Sequence, residues 1–243
     1  MTAVARSSTL PTVWWVLVRS IATRLRLAGL GLLGVAAIAL GLAIGLGHPT
    51  DRASAAWSLV DGYGLSILVP VVSLVFATAA LGDLAEDGTL VYLWLRPIPR
   101  WQLAFAAFAA SVTVVIPVAV LPLIIGAAAS GGGARLVAGA ALGSLLATIA
   151  YSAVFCGLGL RVRRALAWGL VYLLIWEQAV ARVSHGAARG SLYVNTRSVA
   201  AHVAQHTPPR NAVAWTTGLI FPLAVTAIAL VLTTRSLDRG EIA

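Results

Sequence analysis

The stretch LAGLGLLGVAAIALGLAIGL, Leu27 to Leu46, contains no charged residue. A helix rising roughly 1.5 Å per residue needs about 20 residues to cross a hydrocarbon core of about 30 Å, so this run is the length of one membrane crossing. Working outward, five further apolar runs stand out: Gly64 to Leu81, Leu103 to Ala128, Leu136 to Leu160, Ala165 to Ala181 and Ala212 to Thr233. The fifth in chain order, 165–181, is the shortest. The expected fold is all-α: a polytopic membrane protein of six transmembrane helices. The chain reads as one membrane domain over residues 1–243, with no internal repeat, low-complexity tract or soluble domain.

Composition agrees with that solvent. The chain is 60% hydrophobic and 10% charged, against about 25% charged in ordinary soluble domains. All 17 basic residues are arginines, and they stand singly or in short groups at the ends of apolar runs. Their placement suits membrane-edge anchoring and gives no clustered basic face for nucleic acid.

Orientation follows from the arginines in alternate connections. With the N-terminus inside, Arg6, Arg19, Arg24, Arg26, Arg96, Arg100, Arg161, Arg163, Arg164, Arg235 and Arg239 are cytoplasmic. The smaller set, Arg52, Arg135, Arg182, Arg189, Arg197 and Arg210, falls on the other side. The expected location is the cytoplasmic membrane of the cell, with both termini cytoplasmic.

Ahead of the first run, residues 11–26 place Val13, Trp14, Leu17, Ile21 and Leu25 at helical spacing, with Arg19, Arg24 and Arg26 between them. That pattern predicts an interfacial amphipathic helix, a simple cytosolic tail being the alternative. Ala53-Ser54-Ala55 resembles a signal cleavage site, but the preceding run has the length of a full span, and the expectation is that it is retained. Residues 182–211 form the one long loop on the far side, with a short solvated helix expected around Ser198 to His206. Cys156 is the single cysteine, so no disulfide forms within one chain.

The segment between the second and third runs, 83–100, is the most informative for function. Gly88 suits the left-handed end of the helix leaving the membrane, and Thr89 can cap a new one. Leu90, Leu93 and Trp94 then share one face of a short helix. Asp83, Glu86 and Asp87 precede its positive end, and Arg96 lies at its negative end. Pro97 and Pro99 stop it, while Arg100 and Trp101 suit an interfacial anchor for the third span. A merely polar loop would also use Gly and Pro as punctuation.

At these residues the chain resembles the permease subunits of type-2 ABC exporters. Their first cytoplasmic loop runs from Glu through Gly-Thr-Leu and a short apolar helix to Pro, Ile or Val, a small residue or Pro, and Arg. Here the pattern is Glu86, Gly88-Thr89-Leu90, Leu93 and Arg96-Pro97-Ile98-Pro99-Arg100. The stretch Gly82-Asp83-Leu84-Ala85 is sparser in polar residues than is usual in the family. The resemblance implies that 83–100 is a coupling helix docking on a separately encoded ATPase. It also implies two ATPase subunits, which bind ATP and Mg, and a second permease, identical or not. The chain has no lysine and no phosphate-binding loop, so ATP hydrolysis would belong to another polypeptide. No cofactor is expected on the chain itself, and no catalytic residue or metal site is expected.

Other signals are weaker. Gly29-x-Gly31-x-x-Gly34 copies the dinucleotide fingerprint inside an apolar span, where helix packing is the natural reading. Gly41-x-x-x-Gly45 and Gly139-x-x-x-Gly143 likewise predict close helix approach. Glu177 reads as the one carboxylate embedded in an apolar run. It is either a pathway residue or an interfacial carboxylate paired with Arg182. His202 and His206 have ligand spacing but no third ligand nearby, which favours a solvated helix. Pro117, Pro122 and Pro222 should bend their helices, as part of a pathway or as static kinks. The competing classes are an ATP-independent transporter or channel, which would show inverted repeats or charges in several spans, and a membrane-embedded enzyme, which would show a catalytic constellation.

Overall fold

The structure, a computed structural model, describes residues 9–47, 49–86, 99–180, 188–207 and 212–239. The described residues are helical throughout, joined by short connections, with no strand among them. We number the helices α1 (Thr9–Ile21), α2 (Arg24–Gly47), α3 (Arg52–Leu84, its helical backbone continuing to Glu86) and α4 (Arg100–Ala129). There follow α5 (Ala134–Arg161), α6 (Ala165–Glu177, its helical backbone continuing to Val180), α7 (Leu192–Ala204) and α8 (Trp215–Arg239).

Among the described residues five helices, α2, α3, α4, α5 and α8, are long and apolar enough to cross a membrane, which suits a membrane-embedded helical protein. The expected fifth run, 165–181, forms the shorter α6, so the count of six is not reached on length and apolarity alone. The second span is corrected: Gly64 was its expected start, but the helix begins at Arg52. Asp51 starts it, its carboxylate accepting the Ser54 N–H at 3.0 Å. The earlier start draws Asp61 into the helix.

The interfacial helix is also redrawn. Its backbone breaks at Ala22-Thr23, so Leu25 and Arg26 belong to α2. Leu17 and Ile21 are buried, and the Trp14 indole N–H donates to Thr113 Oγ1 of α4 at 3.2 Å. On the opposite face Val16 is 60% exposed, and the Arg19 guanidinium lies 4.8 Å from the Trp15 ring. The amphipathic pattern therefore sets one face of α1 on the bundle and leaves the other free.

Helix α5 is the hub, touching α3, α7 and α8. Its apolar core includes Tyr151 and Phe155, stacked with ring centroids 5.7 Å apart. Small residues let the backbones approach, as the glycine spacings predict. A Cβ at Gly139 would come within 2.6 Å of the Ala200 carbonyl oxygen on α7, and one at Gly41 within 2.1 Å of the Gly126 oxygen on α4. Gly45 packs in the same way against Ala129, and Gly143 against the Ala200 side chain. Of the fingerprint-like glycines, only Gly34 packs within the chain, while Gly29 and Gly31 face open space.

Among the described residues three widened, π-type stretches occur: Leu59–Leu68 and Ile116–Val120 within α3 and α4, and Tyr172–Val180 at the end of α6. Pro117 sits in the second, where its missing N–H is tolerated. The first and third contain Asp61 and Glu177. Such turns recur at functional sites in other proteins.

The long loop needs the largest correction. Its helix was expected around Ser198 to His206 and solvated, but it runs from Leu192 to Ala204 and is buried against α5 and α8. Several of its polar side chains bond to nearby carbonyls. Thr196 Oγ1 donates to Leu192 O at 2.9 Å, Ser198 Oγ to Val194 O at 2.7 Å, and Asn195 Nδ2 to Ser191 O at 2.7 Å.

Candidate functional site

Most of the expected coupling residues, Asp87, Gly88, Thr89, Leu90, Leu93, Trp94, Arg96 and Pro97, lie outside the described residues, as does Ile98. Glu86 ends the helical backbone of α3. On the far side, Pro99 precedes α4 with an extended backbone, and its carbonyl accepts the Gln102 N–H at 2.9 Å. Arg100 and Trp101 begin α4, as the sequence predicts, with Trp101 exposed. Just before the segment, Asp83 receives both terminal nitrogens of Arg26, at 2.7 and 3.2 Å. This forked pair ties the start of α2 to the end of α3.

A polar site lies toward the opposite end of α3, where α7 packs on it and α6 caps α7. Ser191 precedes α7, and the N–H groups of the first turn of any helix have no intrahelical acceptor. Here the Glu177 side chain supplies two acceptors, taking the N–H of Leu192 on Oε1 at 3.1 Å and that of Tyr193 on Oε2 at 3.2 Å. The Val194 N–H goes to Ser191 Oγ at 3.1 Å, and the Ser191 N–H to Ala188 O at 3.2 Å. Glu177 takes two more hydrogen bonds, from the Tyr172 hydroxyl at 2.8 Å and the Ser191 hydroxyl at 2.5 Å. Each carboxylate oxygen thus accepts twice. The group is 1% exposed and sits at the positive end of the α7 dipole.

One turn into α7, Tyr193 and Arg197 share a face. The Tyr193 hydroxyl donates to Asp61 Oδ1 at 2.8 Å, and an Arg197 terminal nitrogen lies 2.8 Å from Asp61 Oδ2. The Arg197 guanidinium carbon stands 5.6 Å from the Tyr193 ring centre. Asp61 is 8% exposed, so the charge is removed from solvent and balanced by one cation and one hydroxyl. The two buried carboxylates therefore grip the same short helix from two widened turns on two different helices.

Sequence reasoning singled out Glu177 and missed Asp61, Tyr172, Ser191, Tyr193 and Arg197. The available signal was the one-turn spacing of Tyr193 and Arg197, together with an acid four residues after Trp57 at the head of an apolar run. Arg182, the expected partner of Glu177, lies outside the described residues. The histidine pair separates. Gln205 takes a left-handed backbone, φ 52°, and ends the helix, so His206 does not continue the face of His202. The His202 ring lies 4.9 Å from that of Trp215, and the His206 ring stacks on Trp57 at 4.8 Å. Among the described residues no group of three or more His, Cys, Asp or Glu is placed to hold a metal. Cys156 is buried, its sulfur 3.5 Å from Ser111 Oγ.

The chain matches no protein-family model and no curated protein.

Proposed function

We propose that this chain is the membrane-spanning permease of an ATP-driven exporter of the type-2 ABC kind. The reading rests on the segment Glu86, Gly88-Thr89-Leu90, Leu93, Arg96-Pro97-Ile98-Pro99-Arg100, which links the end of α3 to the start of α4. In this reading α6 is the fifth of six crossings, both termini are cytoplasmic, and the protein resides in the cell's cytoplasmic membrane. Two permeases pair, and two separate ATPase subunits bind ATP and Mg. Closure of the ATPases pushes on 83–100. Because Asp83 is forked to Arg26, that push reaches α2 as well as α3 and α4. The substrate is amphipathic or hydrophobic: a drug, peptide, lipid or lipid-linked glycan.

Export from proteoliposomes tests the coupling. Glu86→Ala and Arg100→Ala should insert normally and lose ATP-dependent transport, whereas unimpaired transport in both overturns the assignment of the segment.

One observation favours a second reading, an ATP-independent transporter. Buried ionisable groups in membrane helices often mark ion relays, and the buried Asp61 and Glu177, with the partly buried Arg197 paired to Asp61, are of this kind. Against it, four donors occupy the Glu177 carboxylate, three of them from Ser191, Leu192 and Tyr193 at the start of α7 and the fourth from Tyr172 of α6. Transport driven by a proton gradient without ATP, and abolished by Asp61→Asn, would select this reading.

A further inference from the structure

Two apolar grooves flank the Arg235 end of α8, and each is closed by an arginine. The groove between α5 and α8 is a cavity of about 340 Å³. Its walls are Val154 and Leu158 on one side and Val225, Ala229 and Leu232 on the other, and Arg161 stands at its end. Ile228 and Leu232, 58% and 41% exposed, leave it open along the surface of the bundle that faces the bilayer. The second groove, between α4 and α8, repeats the combination: Trp101, Phe105 and Val231 line about 390 Å³, with Arg235 at the end.

The Arg161 guanidinium is fixed by the protein. Its Nε donates to Ser236 Oγ at 2.5 Å and one terminal nitrogen to Leu232 O at 3.3 Å, both on α8. Arg163, exposed, follows two residues later in the turn after α5, whereas Arg164 lines a separate pocket with Asp83 and Arg235 belongs to the second groove. Among the described residues none of these four arginines forms an ion pair, and Asp238 is the one acid on this end of α8. The α5–α8 site therefore combines an open apolar slot with one fixed positive charge, Arg161, at its end. Water-soluble anions fit the charge but not the slot, and neutral lipids fit the slot but not the charge.

We infer that the α5–α8 groove binds an anionic glycerophospholipid, its acyl chain along Val154, Leu158, Val225 and Ala229 and its phosphate on Arg161 with Arg163. The site is on the outside of the bundle and does not depend on the transport reading. Arginine at a membrane edge is suited to this role because its fork pairs with two phosphate oxygens.

Native mass spectrometry of the full chain released from detergent tests the site, with phosphatidylglycerol and phosphatidylcholine offered at equal concentration. Phosphatidylglycerol should be retained about tenfold over phosphatidylcholine, and Arg163→Gln, at an exposed residue, should reduce that preference. Arg161→Gln should abolish it. Ala229→Phe, which fills the slot and leaves every arginine in place, should lower retention of both lipids. Equal retention of the two lipids overturns the inference, as does wild-type retention in Ala229→Phe. Displacement by soluble glycerol phosphate at the same concentration also overturns it, because the charge alone would then suffice.

Discussion

Glu177 and Tyr193 meet through the backbone: Glu177 Oε2 accepts the Tyr193 N–H at 3.2 Å, while the Tyr193 hydroxyl extends 2.8 Å to Asp61 Oδ1. One residue thus joins two buried carboxylates that come from different helices. The consequence is that α7, an element of a connection, is fastened at its first turn to α6 and along its side to α3.

Removing the cap should loosen that fastening. Glu177→Ala leaves the buried N–H groups of Leu192 and Tyr193 without acceptors, at a cost of about 3 kcal/mol. Glu177→Gln keeps one strong acceptor and should cost less. Thermal unfolding in detergent measures both, and labelling of a cysteine placed at Val194 should rise in the Ala variant.

Asp61 and Arg197 should behave as a coupled pair. Asp61→Asn and Arg197→Gln each break a partly buried charge contact, and the double variant should be less harmed than the sum of the two. A double-mutant cycle should give a coupling of roughly 1–3 kcal/mol. Additive losses would show that the 2.8 Å contact carries no energy of its own.

Helix approach supplies a third expectation. Gly139→Leu puts a side chain where only 2.6 Å separates a Cβ from the Ala200 oxygen, and folded yield should collapse. Gly29→Leu, with nothing within 4 Å of its Cβ, should stay within about 0.5 kcal/mol of wild type. Size-exclusion profiles of the two variants make the comparison directly.

The long apolar runs were legible because membrane thickness imposes one length on every crossing, and α2, α4 and α5 fall within a few residues of the runs at 27–46, 103–128 and 136–160. Gly41, Gly45, Gly139 and Gly143 also announced their contacts through spacing alone. Asp61 was hidden because a carboxylate followed by Gly62 and Gly64 looks like the end of a loop. What admits it to the helix is Arg197, far along the chain on an element whose Ser, Asn and Thr suggest water. Those side chains instead bond to carbonyls three or four residues back, a local solution that composition does not reveal. The run at 165–181 becomes α6, and its widened end turns Glu177 inward onto α7, a contact that the apolar pattern alone does not show.

In the proposed function, 83–100 is the handle by which an ATPase moves this chain. Its most direct test is affinity purification of the tagged chain co-expressed with a candidate ABC ATPase, scoring ATP hydrolysis in the eluate for wild type, Leu90→Glu and Leu93→Glu. The account predicts a stable complex with ATPase activity for wild type, and membrane-inserted variants that elute without it. Recovery of the same ATPase activity with both variants would contradict it.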